Sequence, residues 1–175
     1  MPDVYADTES VYSIVRAQCK PHASNWGVMK DKTEKAFEEG LLEVLSSFQI
    51  LELTLKVYIA ASYKIIEYKL GGVIPFKYGY SDIENYPLER AIKLFTRLSN
   101  NKRLVRALNK LTPIRNEIAH RLVSYRNAEI RELLDIDLES KHISLVSTAN
   151  ALDEVFSLLA VELNRVVDLE RSLAP

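Results

Sequence analysis

Cysteine is almost missing from this chain: Cys19 is the single one among 175 residues, so no internal disulfide and no cysteine-cluster zinc or iron–sulfur site can form within it. That usage fits a reducing compartment, and a cytoplasmic location is expected. Five glycines and six prolines are too few for a loop-rich β-sandwich or a low-complexity tail, and they fall mainly between long uninterrupted stretches. Positive charge is lacking at the N-terminus, where Asp3, Asp7 and Glu9 stand in place of the basic start of a signal peptide. No window is expected to approach a membrane span, so no membrane partner is anticipated. Enzyme signatures are lacking too: there is no Gly-rich phosphate loop, no G-x-S-x-G elbow and no H-E-x-x-H. Cys19 and His22 have metal-like spacing, but His120 and His142 are the only other histidines, so no metal and no cofactor is expected.

What remains is an ordinary mix, 47% hydrophobic and 27% charged, with enough length to bury one core without staples. Residues 1–30 read as an appendage containing a short helix around 11–17, and residues 31–175 as one helical domain. From Asp31 to Leu70, Phe37, Leu41, Val44, Leu45, Phe48, Leu51, Leu55, Ile59 and Ile66 recur at three- and four-residue steps, the period of a long amphipathic helix. Gly71-Gly72 stops it, and an aromatic loop to Pro87 follows, carrying Phe76, Tyr78, Tyr80 and Tyr86. Those rings could stack unpaired bases or simply pack across helix ends.

Leu88, Ala91, Ile92, Phe95 and Leu98 give the next helix its inner face, and Asn100-Asn101 breaks the path. Leu104, Val105, Leu108 and Leu111 form a further stripe. Thr112-Pro113 predicts a new helix start, since Thr caps well and Pro suits the first helical position. A helical piece over 128–134, an irregular stretch over 137–144 and an apolar final helix over 148–172 complete the chain. With no alternating strand pattern, the class is all-α with four or five principal helices.

Net charge is −1 overall but strongly divided. The segment 90–126 holds ten basic residues and one acid, Glu117, which makes it +9, and the rest of the chain is −10. Lys102, Arg103, Arg106, Lys110 and Arg121 are the candidate contacts to a polyanion such as RNA; self-solvation of basic helix faces is the plainer explanation. Within this segment lies Arg115-Asn116-Glu117-Ile118-Ala119-His120. Asn116 and His120 are four apart, so the amide is expected to bond the imidazole and fix its tautomer. Arg115 is expected in a first helical turn, where free N–H groups and the helix dipole favour an anion. A guanidinium, oriented N–H groups and a histidine together suit binding a phosphodiester and moving a proton. Arg115 and His120 lie about 140° apart around the helix and about 7.5 Å apart along it, so a second copy could bring them together.

The R-N-x3-H spacing on a late helix of a small all-α bundle resembles the HEPN superfamily, many of whose members are metal-independent endoribonucleases of toxin–antitoxin, abortive-infection and antiviral systems. Over roughly residues 35–170, the resemblance implies that Arg115 and His120 are the catalytic pair with Asn116 as the polar neighbour. It implies that Glu52 and Lys56 match a supporting charged pair on the first long helix. RNA cleaved by 2′-hydroxyl attack, a homodimer and an antitoxin or other partner protein are implied with it. In the dimer the final helix, through Leu159, Leu163 and Val166, would supply the buried apolar contact. Leu122 stands where the subgroup paired with nucleotidyltransferase antitoxins has a tyrosine. Two alternatives stand beside this reading: a non-catalytic HEPN-like module binding RNA, nucleotides or a protein, and a purely structural helical bundle.

Overall fold

The computed structural model describes residues 30–174, and the expected helix at 11–17, with Cys19 and His22, lies outside them. Among the described residues the chain is all-α. Its elements are α1 (Lys30–Leu70), a 3-10 turn (Tyr80–Asp82), α2 (Leu88–Leu98), α3 (Lys102–Arg126), a short α4 (Ala128–Leu133) and α5 (Leu138–Leu173).

The apolar period of α1 does what its spacing implies: Phe37, Leu41, Val44, Phe48, Leu51, Leu55 and Ile59 are all buried. Buried hydroxyls are satisfied within the helix, as Thr54 Oγ1 donates to the Ile50 carbonyl at 2.8 Å and Ser62 Oγ to that of Tyr58 at 2.8 Å. Gly71 closes the helix by donating its N–H to the Glu67 carbonyl at 2.7 Å, and a Cβ at position 71 would stand 2.6 Å from that same oxygen. Only glycine fits there without displacing the backbone.

Helix α5 is the main packing partner of α1. Gly40 lies opposite His142 and Tyr58 lies near Glu162, so the two long helices run parallel. Between them α3 returns antiparallel to α5, as the ion pairs Arg103–Glu154 at 2.6 Å and Lys141–Glu117 at 3.2 Å require. Leu104, Leu108 and Leu111 from α3 and Leu152, Phe156, Leu159 and Leu163 from α5 fill the core with α1. Helix α2 covers the middle of α1, where the Tyr58 and Phe95 rings meet at 4.7 Å.

Two boundaries differ from the sequence expectation. Thr112-Pro113 starts no new helix, because Pro113 sits inside the unbroken α3. Proline deprives the carbonyl four residues back, that of Asn109, of its partner. Pro113 and Asn109 are both exposed, so water can take that place and the helix continues. Helix α5 starts ten residues before Thr148, at Leu138, because Asp137 caps it by accepting from the Glu139 N–H at 3.0 Å. Over 139–144 the one apolar residue, Ile143, is exposed, so the helical period shows only from its buried positions, Leu145 and Thr148. Ahead of it Asp135 takes a positive φ of 50°, a conformation that aspartate tolerates better than most residues.

Hydropathy also departs from expectation: α1 and α5 each contain an 18-residue stretch long and apolar enough, by composition alone, to cross a membrane. In α1 more than half of that stretch is buried inside the bundle, the use a soluble core helix makes of the same residues.

Candidate nucleic-acid interface

The motif helix α3 is sorted by its 3.6-residue period. Leu104, Leu108, Leu111, Ile118 and Tyr125 turn inward and are buried. Lys102, Arg106, Lys110, His120 and Arg121 are exposed and fall, at 100° per residue, within an arc of about 100° on the opposite side. Pro113 and Glu117 occupy the same arc. Arg106 Nε also donates to the Lys102 carbonyl at 3.1 Å, which holds its stem along the helix. Arg103, at the edge of this arc, is drawn to Glu154 of α5. Arg90 and Lys93 on α2 are engaged as well: the Arg90 guanidinium stacks 3.7 Å from the Tyr86 ring centroid, and Lys93 bonds Glu89 at 2.7 Å. The cations of α3's outer arc that have no carboxylate partner among the described residues are therefore Lys102, Arg106 and Lys110, while the charge of Arg121 acts on the Glu117 carboxylate one turn before it.

Arg115 is placed differently from His120. It is half-buried on a flank of α3, and its Nη1 donates to Asn116 Oδ1 at 3.3 Å. Because Pro113 does not open a helix, Arg115 lies in the middle of α3 with no free first-turn N–H groups around it. The expected amide–imidazole bond is also absent among the described residues, since the Asn116 oxygen is turned to Arg115. His120 is exposed, about 140° around the helix from Arg115, so one protomer does not bring their heads together.

Glu52 and Lys56 form the i,i+4 pair at 2.8 Å, and Lys56 Nζ also donates to the Glu84 carbonyl at 2.7 Å. Lys56 is buried, so its ammonium ties the aromatic loop to α1. The pair lies far from the motif. Phe37 shares one cleft with Ile114, Glu117 and Ile118, and Glu52 stands about 22 Å further along α1 at 1.5 Å per residue. Phe76 and Tyr78 of the loop pack ring against ring with each other and with Tyr63 of α1 at 5.2–5.8 Å, while the Tyr78 side is left open to solvent.

The one acid of the basic segment has a partner that spacing could not reveal. Glu117 Oε1 accepts from Lys141 Nζ at 3.2 Å and from the Tyr125 hydroxyl at 3.4 Å, and Lys141 lies 5.8 Å from the Tyr125 ring centroid. The Lys141 hydrogen bond and charge hold the Glu117 carboxyl below its usual range, and the Glu117 bond raises the Lys141 ammonium in turn. Tyr125 was legible as two turns beyond Glu117; Lys141 comes from another helix and was not. This cluster fastens the C-terminal half of α3 to α5 and removes the negative charge of Glu117 from the outer arc. No family model, curated protein or solved structure matches the chain.

Proposed function

We propose that this chain is an RNA-binding helical domain that engages the phosphate backbone with the outer arc of α3. One observation carries the reading: Lys102, Arg106, Lys110 and Arg121 are exposed on one side of a single rigid helix, and the only acid there is neutralised by Lys141. Steps of four residues advance about 6 Å along the axis, so the cations form a stripe along which a polyanion can lie. The flexible lysine and arginine heads suit phosphates, which fix position without reading sequence.

A second reading, endoribonuclease of the HEPN type, is favoured by the exposure of His120 at one edge of the same arc, with Arg121 at its other edge. An RNA held there would pass the imidazole, which could take the proton of a 2′-hydroxyl and return one to the leaving oxygen. Arg115 would then act from another chain or through a change of side-chain conformation, because within one protomer it faces away.

The experiment measures affinity for single-stranded RNA across a salt series, with wild type and a Lys102→Gln, Arg106→Gln, Lys110→Gln variant. Loss of three phosphate contacts should make the log–log slope shallower by about 2. Equal slopes would leave the arc as a solvated surface. Incubating RNA with wild type and His120→Ala in EDTA separates the second reading. A fall in cleavage of about 100- to 10,000-fold in the variant supports it. Intact RNA with both proteins removes it and leaves binding.

A further inference from the structure

The end of the bundle where α1 passes into the aromatic loop carries apolar surface that nothing among the described residues covers. Five large hydrophobic side chains, Tyr68, Leu70, Val73, Ile74 and Tyr78, are exposed within the eleven residues 68–78, so they form one patch rather than the isolated apolar side chains of any surface. Val73 is 82% exposed. The apex is a built turn: the N–H groups of Val73 and Ile74 both donate to the Leu70 carbonyl, at 2.8 and 2.9 Å, and a Cβ at Gly72 would meet nothing within 4 Å. Behind it Phe76 and Tyr78 stand on Tyr63 and hold the returning chain against α1. The Val73 and Ile74 side chains thus stand clear of the bundle on a backbone whose donors are satisfied. Between Glu67 and Asp82 there is no acid, and the two charges are Lys69 and Lys77, both exposed. The bordering acids are engaged, Glu67 by Lys64 at 2.8 Å and Asp82 by the Gly79 N–H at 2.8 Å. The end of α5 lies alongside, where Glu170 senses Lys64, and adds Leu169 and Arg171 together with the acid Asp168.

We propose that this tip anchors the chain reversibly to the surface of an anionic lipid bilayer, with Val73 and Ile74 among the acyl chains, Tyr68 and Tyr78 at headgroup depth, and Lys69 and Lys77 on the lipid anions. The side chains fit that partner layer by layer. Aliphatic groups at the apex suit hydrocarbon, the amphipathic tyrosine ring suits the boundary with water, and a lysine near an anionic leaflet gains roughly fivefold in partitioning. Backbone donors already paired within the turn remove the main cost of entering lipid. RNA suits the apex less well, because bases stack on aromatic rings and Val73 and Ile74 offer none. The expectation of no membrane partner rested on the length of a span, and a surface anchor needs no span. Two apolar side chains and two cations make a weak combination, which is why the attachment is reversible.

The inference is independent of the RNA reading. Asn101 bonds Glu162 at 3.0 Å and Arg103 pairs with Glu154, so the α3 stripe starts at least about 16 Å below the end of α5 and runs away from the tip. A chain held by its tip keeps that stripe clear of the bilayer and open to a polyanion. Both surfaces are cationic, so the experiment separates them by substitution.

The full chain is sedimented with vesicles of phosphatidylcholine, alone or mixed with phosphatidylserine. Wild type should pellet with the mixed vesicles and far less with phosphatidylcholine alone. Val73→Ser with Ile74→Ser should lower partitioning at least about tenfold, and Lys69→Gln with Lys77→Gln about 30-fold on the mixed vesicles, each with an unchanged helical circular-dichroism spectrum. The Lys102→Gln, Arg106→Gln, Lys110→Gln variant should bind vesicles as wild type does. Contact is read directly in a Cys19→Ser background, where an environment-sensitive fluorophore on Val73→Cys should shift to the blue when mixed vesicles are added. A wild type that stays in solution with both vesicles overturns the inference. So does binding that the α3 variant loses and the tip variants keep, or a fluorophore whose emission does not move.

Discussion

Helices α1 and α3 both bury one face in the same core, yet their outer faces could hardly differ more. The outer arc of α3 carries four cations and a histidine over about five turns, while the exposed line of α1 through Leu42, Ser46, Gln49 and Leu53 is free of charge. A solvated helix normally keeps charge on its outer side, because exposed apolar side chains gain nothing from water. Helix α3 obeys this rule to excess, and the RNA-binding reading proposed above rests on that excess. Helix α1 breaks it at Leu42 and Leu53, which are exposed. The lesson is that the outer face of an amphipathic helix carries functional information once the inner face has been accounted for.

The strongest way to break the contrast is to remove what both faces share. Leu55 is fully buried between them, and Leu55→Ala should cost about 2–5 kcal/mol of stability, read by denaturant unfolding, and weaken both surfaces together. If one surface survived at a denaturant concentration where the core had melted, the two would not depend on a common fold.

Lys56→Ala should come next, at about 1–3 kcal/mol, because it strips the buried partner from Glu52 and from the Glu84 carbonyl. It should leave the salt slope of RNA binding unchanged, which separates a role in holding the loop from one in contacting RNA. The reciprocal of the α3 experiment is smaller. Leu42→Gln with Leu53→Gln should change folding stability by no more than about 0.5 kcal/mol and leave RNA affinity intact. A loss of RNA affinity there would mean that the two faces are one site.

Two pH effects sharpen the electrostatic side. The folded carboxyl of Glu117 titrates below its ordinary value, so its pairing supports the fold at neutral pH and is lost as pH falls through that lowered value. Lys141 titrates above its ordinary value, so the same contact is lost again at strongly alkaline pH. Glu117→Gln should remove both limbs, with an effect under about 1 kcal/mol after solvent screening. The smallest effect is expected at Glu170, which burial pushes up despite Lys64 and Arg171. There the charged form is the disfavoured one, so Glu170→Gln should be neutral or slightly stabilising at pH 7. That gain should fade as pH falls below the ordinary carboxylate range, measured by thermal unfolding at several pH values.

The all-α class, the core residues of α1 and the span of α2 were legible in the sequence because a helix built of apolar residues at three- and four-residue steps has one inward side whatever packs against it. Pro113 misled because proline's cost depends on where the orphaned carbonyl points, and only the packed helix turns it to water. The start of α5 misled because Asp137 caps a turn whose buried members come later. Of the candidate site, the basic stripe could be computed from residue numbers alone, as could the divergence of Arg115 from His120. That Lys141 quenches Glu117, that Asn116 faces Arg115 and that Glu52–Lys56 lies at the middle of α1, away from the motif, came only from the tertiary structure. Those contacts join residues from separate helices or choose among side-chain orientations of similar energy. Local spacing fixes neither, because both are decided by whichever neighbour the fold happens to bring within hydrogen-bonding distance.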